Sequence, residues 1–395
     1  MKAKKPSKSG SPGLLIAAAF IGPGTVTVCT IAGATYGFEL LWVMIVSIVA
    51  TIFLQNTASR LGIVSRLSLT ALIRQQLSQP ILRMLMLGLV FSAIVIGNGA
   101  YEAGNISGAV LGLESIVSFP LAGAILGLIA GALLWTGSYH LIQKVLTGLV
   151  ALMSASFIIT AIMTRPNPWG LLQGMFLPSF SSDSSLIILA LVGTTIVPYN
   201  LFLHASLAKN HWNISEIGPA RKDTIRSILI GGIISMAIII TAGGTSSGNI
   251  QNAGDLAKSL EPLYGSTAKY LIALGLFSAG ITSAITAPLA AAYVAQGCFD
   301  WDDNPKHIGF RATWICILLV GAVFSSIGYK PLDIIKFAQV ANGLLLPIIA
   351  ALLIWLSSRR SILGQHTNSK AVTMAGILIA LITLILGIKS IWTAF

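Results

Sequence analysis

Val192-Gly193-Thr194-Thr195-Ile196-Val197-Pro198-Tyr199-Asn200 sits in the middle of an apolar run spanning residues 185–208. Pro198 removes a backbone donor and its ring crowds the preceding turn. Gly193 unwinds at little cost. A helix built from this run is therefore interrupted near its centre. A second interruption lies far upstream, at Phe20-Ile21-Gly22-Pro23-Gly24-Thr25-Val26, inside the run 13–36. In a hydrocarbon environment the backbone groups freed at such breaks must find partners or line a cavity.

The surroundings of both breaks are membrane-like. Of the 395 residues 55% are hydrophobic and 9% charged, against roughly 25% charged in soluble domains. The mean hydropathy is +0.86. A helix needs about 20 mostly apolar residues to cross the bilayer core. Eleven candidate runs are present: 13–36, 39–60, 82–112, 120–138, 142–164, 185–208, 224–246, 266–297, 309–328, 333–357 and 370–392. Between the second and third, Gly62 to Gln79 mixes apolar residues with Arg66 and Arg74, the pattern of a short interfacial helix. Thr245 to Ser266 and Asp300 to Lys306 are expected to be loops.

The two broken runs are the first and the sixth, five spans apart. Two five-helix repeats of inverted topology produce that spacing and put half-helix ends at the membrane midplane, where substrate binds. The expected fold is an all-α polytopic membrane protein with a LeuT-like 5+5 repeat and an eleventh helix. The expected division is a tail at 1–11, a first repeat at 12–164, a second at 185–357 and the last helix at 370–392. With the N-terminus in the cytoplasm, eighteen of the 24 Lys and Arg residues fall inside, including Lys2, Lys4, Lys5 and Lys8. That satisfies the positive-inside rule and puts the C-terminus outside.

Other classes are excluded. The net charge of +12 is spread over short gaps between apolar runs, without the basic stripe and interleaved aromatics of nucleic-acid binding. Cys29, Cys298 and Cys316 show neither CxxC spacing nor a disulfide pattern. No phosphate-cradling GxxxxGK[ST] is present, and no enzyme or cofactor signature appears. The first eleven residues carry four lysines and no apolar stretch, unlike a cleaved signal.

The motifs at the breaks resemble those of the Nramp family of proton-coupled divalent metal transporters. Gly22-Pro23-Gly24-Thr25 lies where that family has Asp-Pro-Gly-Asn, and Gly193 to His204 where it has Gly-Ala-Thr-Val-Met-Pro-His-Asn-Leu-Tyr-Leu-His. Lys144 to Val150, Leu276 to Leu289 and Ala338 to Pro347 are also similar. The resemblance implies a secondary active transporter, working by alternating access in a plasma membrane such as the bacterial inner membrane. Its partners would be the bilayer, a small ion or solute and a proton. The resemblance says nothing of oligomeric state.

By that resemblance the substrate-binding residues are Gly22, Pro23, Gly24, Thr25, Thr194, Thr195, Val197, Tyr199, Asn200 and Gln339. The metal ligands would fall on Gly22, Thr25, Thr194 and Gln339. The departures lie on the site itself: the family's aspartate is Gly22, its asparagine Thr25, its carbonyl-bearing alanine Thr194, its methionine Val197, and the histidine after the proline Tyr199. A carboxylate offsets the dehydration of a divalent ion, and a thioether favours softer metals. The oxygens left here are neutral. They suit a hard or partly hydrated cation, a monovalent cation or a polar solute. An alternative therefore stays open, in which the same fold carries a small anion, zwitterion or organic solute at the positive helix ends.

Two residues are expected on a proton route. Glu102 sits mid-span between Tyr101 and Asn105, and an intramembrane carboxylate marks a functional site by default. The Nramp family has a glutamate here. His204, four residues after Asn200 and so on the same helix face, is of a type that exchanges protons near neutral pH. Asp223 with Arg226, and Asp333 with Lys336, are expected to be gate or interface ion pairs.

Overall fold

The computed structural model describes residues 12–13, 20–117, 121–136, 140–180, 183–245, 248, 250–302 and 304–394. Among these there is no β-strand. The tail 1–11, with its four lysines, and residues 14–19 of the first run lie outside the described residues.

The described chain is a bundle of helices. In order these are α1 (Pro23–Tyr36), α2 (Leu41–Ser65), α3 (Leu69–Gln76), α4 (Pro80–Phe91), α5 (Gly97–Glu114), α6 (Ala122–Thr136), α7 (His140–Met163), α8 (Pro168–Phe176) and α9 (Ser185–Thr195). They continue with α10 (Pro198–His211), α11 (Ile217–Thr245), α12 (Ala253–Lys258), α13 (Ala268–Phe299), α14 (Ile308–Ser326), α15 (Pro331–Ser357) and α16 (Lys370–Ala394). Among the described residues nine helical stretches are long and apolar enough to cross a membrane. Every expected run meets a helix. The fourth is the short α6, of 15 residues, and the described part of the first is α1. One run is compound: α4 passes through a π-helical turn, Ser92–Ile96, into α5.

The usual soluble arrangement is reversed. Leu128 (74% exposed), Ile162 (72%) and Ile81 (71%) face outward, while Glu102, Asn98, Asn105 and Gln339 are buried. An apolar belt of this kind belongs against lipid.

Small residues bring the spans together, as expected where lipid gives no hydrophobic drive between helices. On α5, Gly104, Gly108 and Gly112 recur at four-residue spacing and face three neighbours. A β-carbon at Gly104 would meet Ala338 of α15, at Gly108 it would run into the Pro23 ring, and at Gly112 into the α13 backbone near Ala273. The stripe seats α5 against the start of α1, so the position of break one depends on it.

The segment Thr245 to Ser266 departs from the expected loop. It contains α12, with Ala253, Leu256 and Ala257 buried, and Leu260 buried in the turn that follows. These positions fall at i, i+3, i+4 and i+7, one helical face. Asn252 caps the helix by accepting from the Asp255 amide at 3.0 Å. The Gly and Ser flanks hid this short amphipathic turn from a reading based on composition. The expected interfacial helix forms as α3, capped by Ser68. Arg74 ties it to the end of α13 through the Gly297 and Cys298 carbonyls at 2.7 and 2.9 Å and an ion pair with Asp300.

Candidate membrane-midplane site at the two breaks

Break one is an extended turn. Gly22 has φ −95° and ψ 177°, and Pro23 opens α1 at the position where a missing N–H costs nothing. Break two runs through Ile196 and Val197, and Pro198 opens α10 in the same way. Because residue 198 is proline, the Thr194 carbonyl has no donor four residues on. The loss of that helical donor is readable directly from the sequence.

The breaks touch through their threonines. Thr25 Oγ1 donates to the Phe20 carbonyl at 2.6 Å, satisfying a group that the interruption would otherwise leave free. Thr25 Oγ1 and Thr194 Oγ1 are 2.9 Å apart. A hydroxyl has one proton to give, so Thr194 must donate to Thr25. The relay Thr194 to Thr25 to Phe20 links both broken spans, and both threonines are buried.

Gln339 completes the group. A β-carbon on Gly24 would meet its side-chain Cδ at 2.5 Å, and one on Gly193 would run into its backbone carbonyl and lie 2.7 Å from the Gly343 nitrogen. Both break glycines therefore admit α15. The Gln339 Oε1 atom is buried with no hydrogen-bond partner, as are Asn200 Oδ1 and Asn342 Nδ2, one turn past Gln339. Orphaned polar atoms of this kind each cost about 1–3 kcal/mol, a cost that a bound cation would relieve at the two oxygens and its water, as acceptor, at the Asn342 amide. Thr195 points away, donating to the Leu191 carbonyl at 2.7 Å and lying 3.9 Å from the Met44 sulfur. Val197 belongs to the apolar core.

Tyr199 lies edge-on to Tyr101, with ring centroids 5.3 Å apart. Beside Gly22 a β-carbon would find Ser283 Oγ at 3.3 Å and the Tyr101 hydroxyl at 3.8 Å. Ser283 and Tyr101 were not singled out by sequence reading. One is one of two serines in a long apolar helix, Ser278 and Ser283, and the other was seen only as a neighbour of Glu102. Among the described residues no three His, Cys, Asp or Glu side chains gather as a metal-binding group. The donors at the breaks are neutral oxygens. Gly22 to Thr25, Thr194, Thr195, Val197, Tyr199, Asn200 and Gln339 are all buried, so this conformation is occluded from solvent.

Both expected proton carriers are buried, and among the described residues no hydrogen bond joins them. Glu102 accepts from Asn105 Nδ2 at 3.1 Å through one oxygen, and its other oxygen has no partner. It packs against Gly321 of α14, where a β-carbon would come within 2.6 Å of Glu102 Cγ. It lies close enough to act electrostatically on Tyr101 and Tyr199. His204 instead bonds Gln55 of α2, Nδ1 to Oε1 at 2.8 Å, and feels the charge of Asp223. Asp223 accepts from the Gly13 amide at 2.9 Å. Among the described residues it makes no ion pair with Arg226, whereas Lys336 and Asp333 do pair, at 2.9 Å. The π-helical turn just before Asn98 is a further signal that residue types do not carry. Such turns are frequent at functional sites, and here Asn98 reaches the Ala287 carbonyl at 2.9 Å, beside Pro288.

Two half-helices broken opposite each other, crossed by a polar helix and surrounded by lipid-facing spans, define a LeuT-fold membrane transporter. Solved structures agree. The chain matches the Eremococcus coleocola manganese transporter with a TM-score of 0.79 at 20% identity, over 97% of this chain and 86% of that one. It matches Mhp1, a nucleobase-cation-symport-1 family transporter, with a TM-score of 0.60 at 15% identity, over 99% and 94%. The sequence profile described as "Natural resistance-associated macrophage protein-like" covers residues 13–393, and the chain belongs to that family, Nramp. Similar relatives include the divalent metal cation transporter MntH of Mycobacterium tuberculosis (strain ATCC 25618 / H37Rv), 25% identical over 96% of this chain and 90% of the relative. The MntH of Pectobacterium carotovorum subsp. carotovorum (strain PC1) is 27% identical over 94% and 90%.

Proposed function

We propose that this protein is a secondary active transporter that carries a metal cation by alternating access, with the cation held by neutral oxygens between the two breaks. The observation that carries this reading is the meeting of Thr25, Thr194 and Gln339 where the Thr194 carbonyl has lost its helical donor. The relatives' names, divalent metal cation transporters, support a metal cargo and give no support to the anionic or organic alternative. With no carboxylate or thioether among these donors, the cargo is a hard cation that keeps part of its water, such as magnesium, in preference to bare manganese or iron. Glu102 acts as the proton carrier, and His204, bonded to Gln55, joins no hydrogen-bond chain to it among the described residues.

The repeats are 12–164 and 185–357, with 370–392 appended, and the N-terminus is cytoplasmic in a bacterial-type plasma membrane. Charge asymmetry supports that orientation. The test is flux. Purified protein is reconstituted in liposomes holding a metal-sensitive and a pH-sensitive dye, and magnesium, calcium and manganese are added in turn. Saturable magnesium entry above manganese entry is the expected result. Silence for all three ions, beside an active family member, would reject a metal cargo.

A further inference from the structure

A second polar site lies away from the breaks. A cavity of about 720 Å³ opens between α2, the start of α11 and the connection into α16. Its polar end holds Arg60, Arg221 and His366, and no Asp or Glu lines it. Arg60 Nη2 is fixed by Asn368 Oδ1. Asn368 is itself held by donating to Ser357 Oγ at 2.8 Å. The Arg60 Nε and His366 Nε2 atoms are buried with no hydrogen-bond partner. Arg221 is exposed and sits close enough to Arg60 to repel it. Among the described residues neither arginine has an acidic partner.

Two like charges held together beside unpartnered nitrogens form an incomplete group. An oxyanion bearing several acceptor oxygens would complete it. The rest of the cavity is of opposite character. Val49, Phe53 and Val372 line it, and Val49 is 59% exposed on the outer, lipid-facing surface of α2. Free phosphate would have no use for that wall, whereas an acyl chain would. Basic pockets between transmembrane helices are also the usual seat of anionic lipid head groups.

We propose that this cavity binds an anionic phospholipid, its phosphodiester at Arg60, Arg221 and His366 and an acyl chain along Val49, Phe53 and Val372. The lipid bridges α2, α11 and α16. The site is independent of the cargo reading above.

The test uses the full chain in detergent. Retention of phosphatidylglycerol and of phosphatidylcholine with the same acyl chains is compared by native mass spectrometry, and melting temperature is followed with each lipid and with inorganic phosphate. Phosphatidylglycerol is expected to be retained preferentially and to raise the melting temperature, and inorganic phosphate to do nothing. Arg221→Gln should weaken the preference about fivefold, the worth of one basic charge near a lipid surface. Arg60→Gln/Arg221→Gln should abolish it. If the double variant does not fold, the single variant decides, since Arg221 makes no hydrogen bond among the described residues. Lys222→Gln, an exposed neighbour outside the cavity, should change nothing. Equal retention of both lipids, an unchanged preference in Arg221→Gln, a loss matched by Lys222→Gln, or an equal thermal shift with inorganic phosphate would each overturn the proposal.

Discussion

The hydroxyls of Thr25 and Thr194, 169 residues apart in sequence, are 2.9 Å apart and buried. Since Thr25 gives its proton to Phe20, the contact has a fixed direction. It holds the two broken spans in register without any charge.

Removing either hydroxyl should therefore have coupled effects. Thr194→Val leaves Thr25 with its Phe20 bond, whereas Thr25→Val strands both the Phe20 carbonyl and the Thr194 donor, at about 1–3 kcal/mol for each buried orphan. Thr25→Val is expected to be the more damaging, and the double variant to be less damaging than the sum of the singles. A double-mutant cycle on thermal stability and on transport KM measures this. Strict additivity would mean that the contact carries no energy.

The space beside Gly22 bears on metal choice. Ser283 Oγ and the Tyr101 hydroxyl lie within 3.3 and 3.8 Å of where its β-carbon would be, so a carboxylate there would meet hydroxyl donors. Gly22→Asp with Thr25→Asn and Val197→Met should fold and gain saturable manganese uptake, by tenfold or more over the parent, because it adds a charged and a soft ligand. The proteoliposome dye assay reads this. A folded triple variant with no manganese entry would show that the cavity has diverged beyond its ligands.

The breaks, the spans and the buried glutamate were legible because each rests on one residue type with one physical consequence. Pro198 removes an N–H, runs of about 20 apolar residues fit a bilayer, and Glu102 is a charge in an apolar segment. The roles of Ser283 and Tyr101 were not legible, since they arise only when α13 and α5 close on Gly22. Nor was α12, whose face of three small or apolar residues, with Leu260 just beyond its end, is shorter than any window suited to membrane spans. The separation of Glu102 from His204 is also a matter of packing. Both read as buried and titratable, but Gly321 seats one against α14 and Gln55 turns the other toward α2.

The α12 segment has its own pH dependence. Lys258, bonded to Asp255 at 2.9 Å, holds the Asp255 carboxyl below its ordinary value of 3.8, with help from the Gln251 amide. A carboxyl depressed by folding stabilises the segment above its unfolded value, and the benefit is lost as pH falls through the lower, folded one. Asp255→Asn should therefore speed protease nicking of Ala253–Lys258 at neutral pH. The difference from the parent should shrink below pH 3.8. The effect is small, because solvent screens an exposed pair. A difference that persists unchanged in acid would assign it to something other than ionisation.

Glu102 offers the sharpest separation of function from stability. One of its oxygens accepts from Asn105 and the other has no partner, so Glu102→Gln keeps the accepting oxygen and removes a buried ionisable group. The melting temperature should stay level or rise. Cation entry driven by a concentration gradient should continue, but an imposed pH gradient should no longer accelerate it, and the internal pH dye should report no proton movement with the cation. His204→Gln, which can still bond Gln55, should retain the response to the pH gradient if the Gln55–Asp223 side of the bundle is not on the proton route. Loss of pH-driven entry in His204→Gln alongside its retention in Glu102→Gln would transfer the proton role to the histidine and leave Glu102 as a packing residue against Gly321.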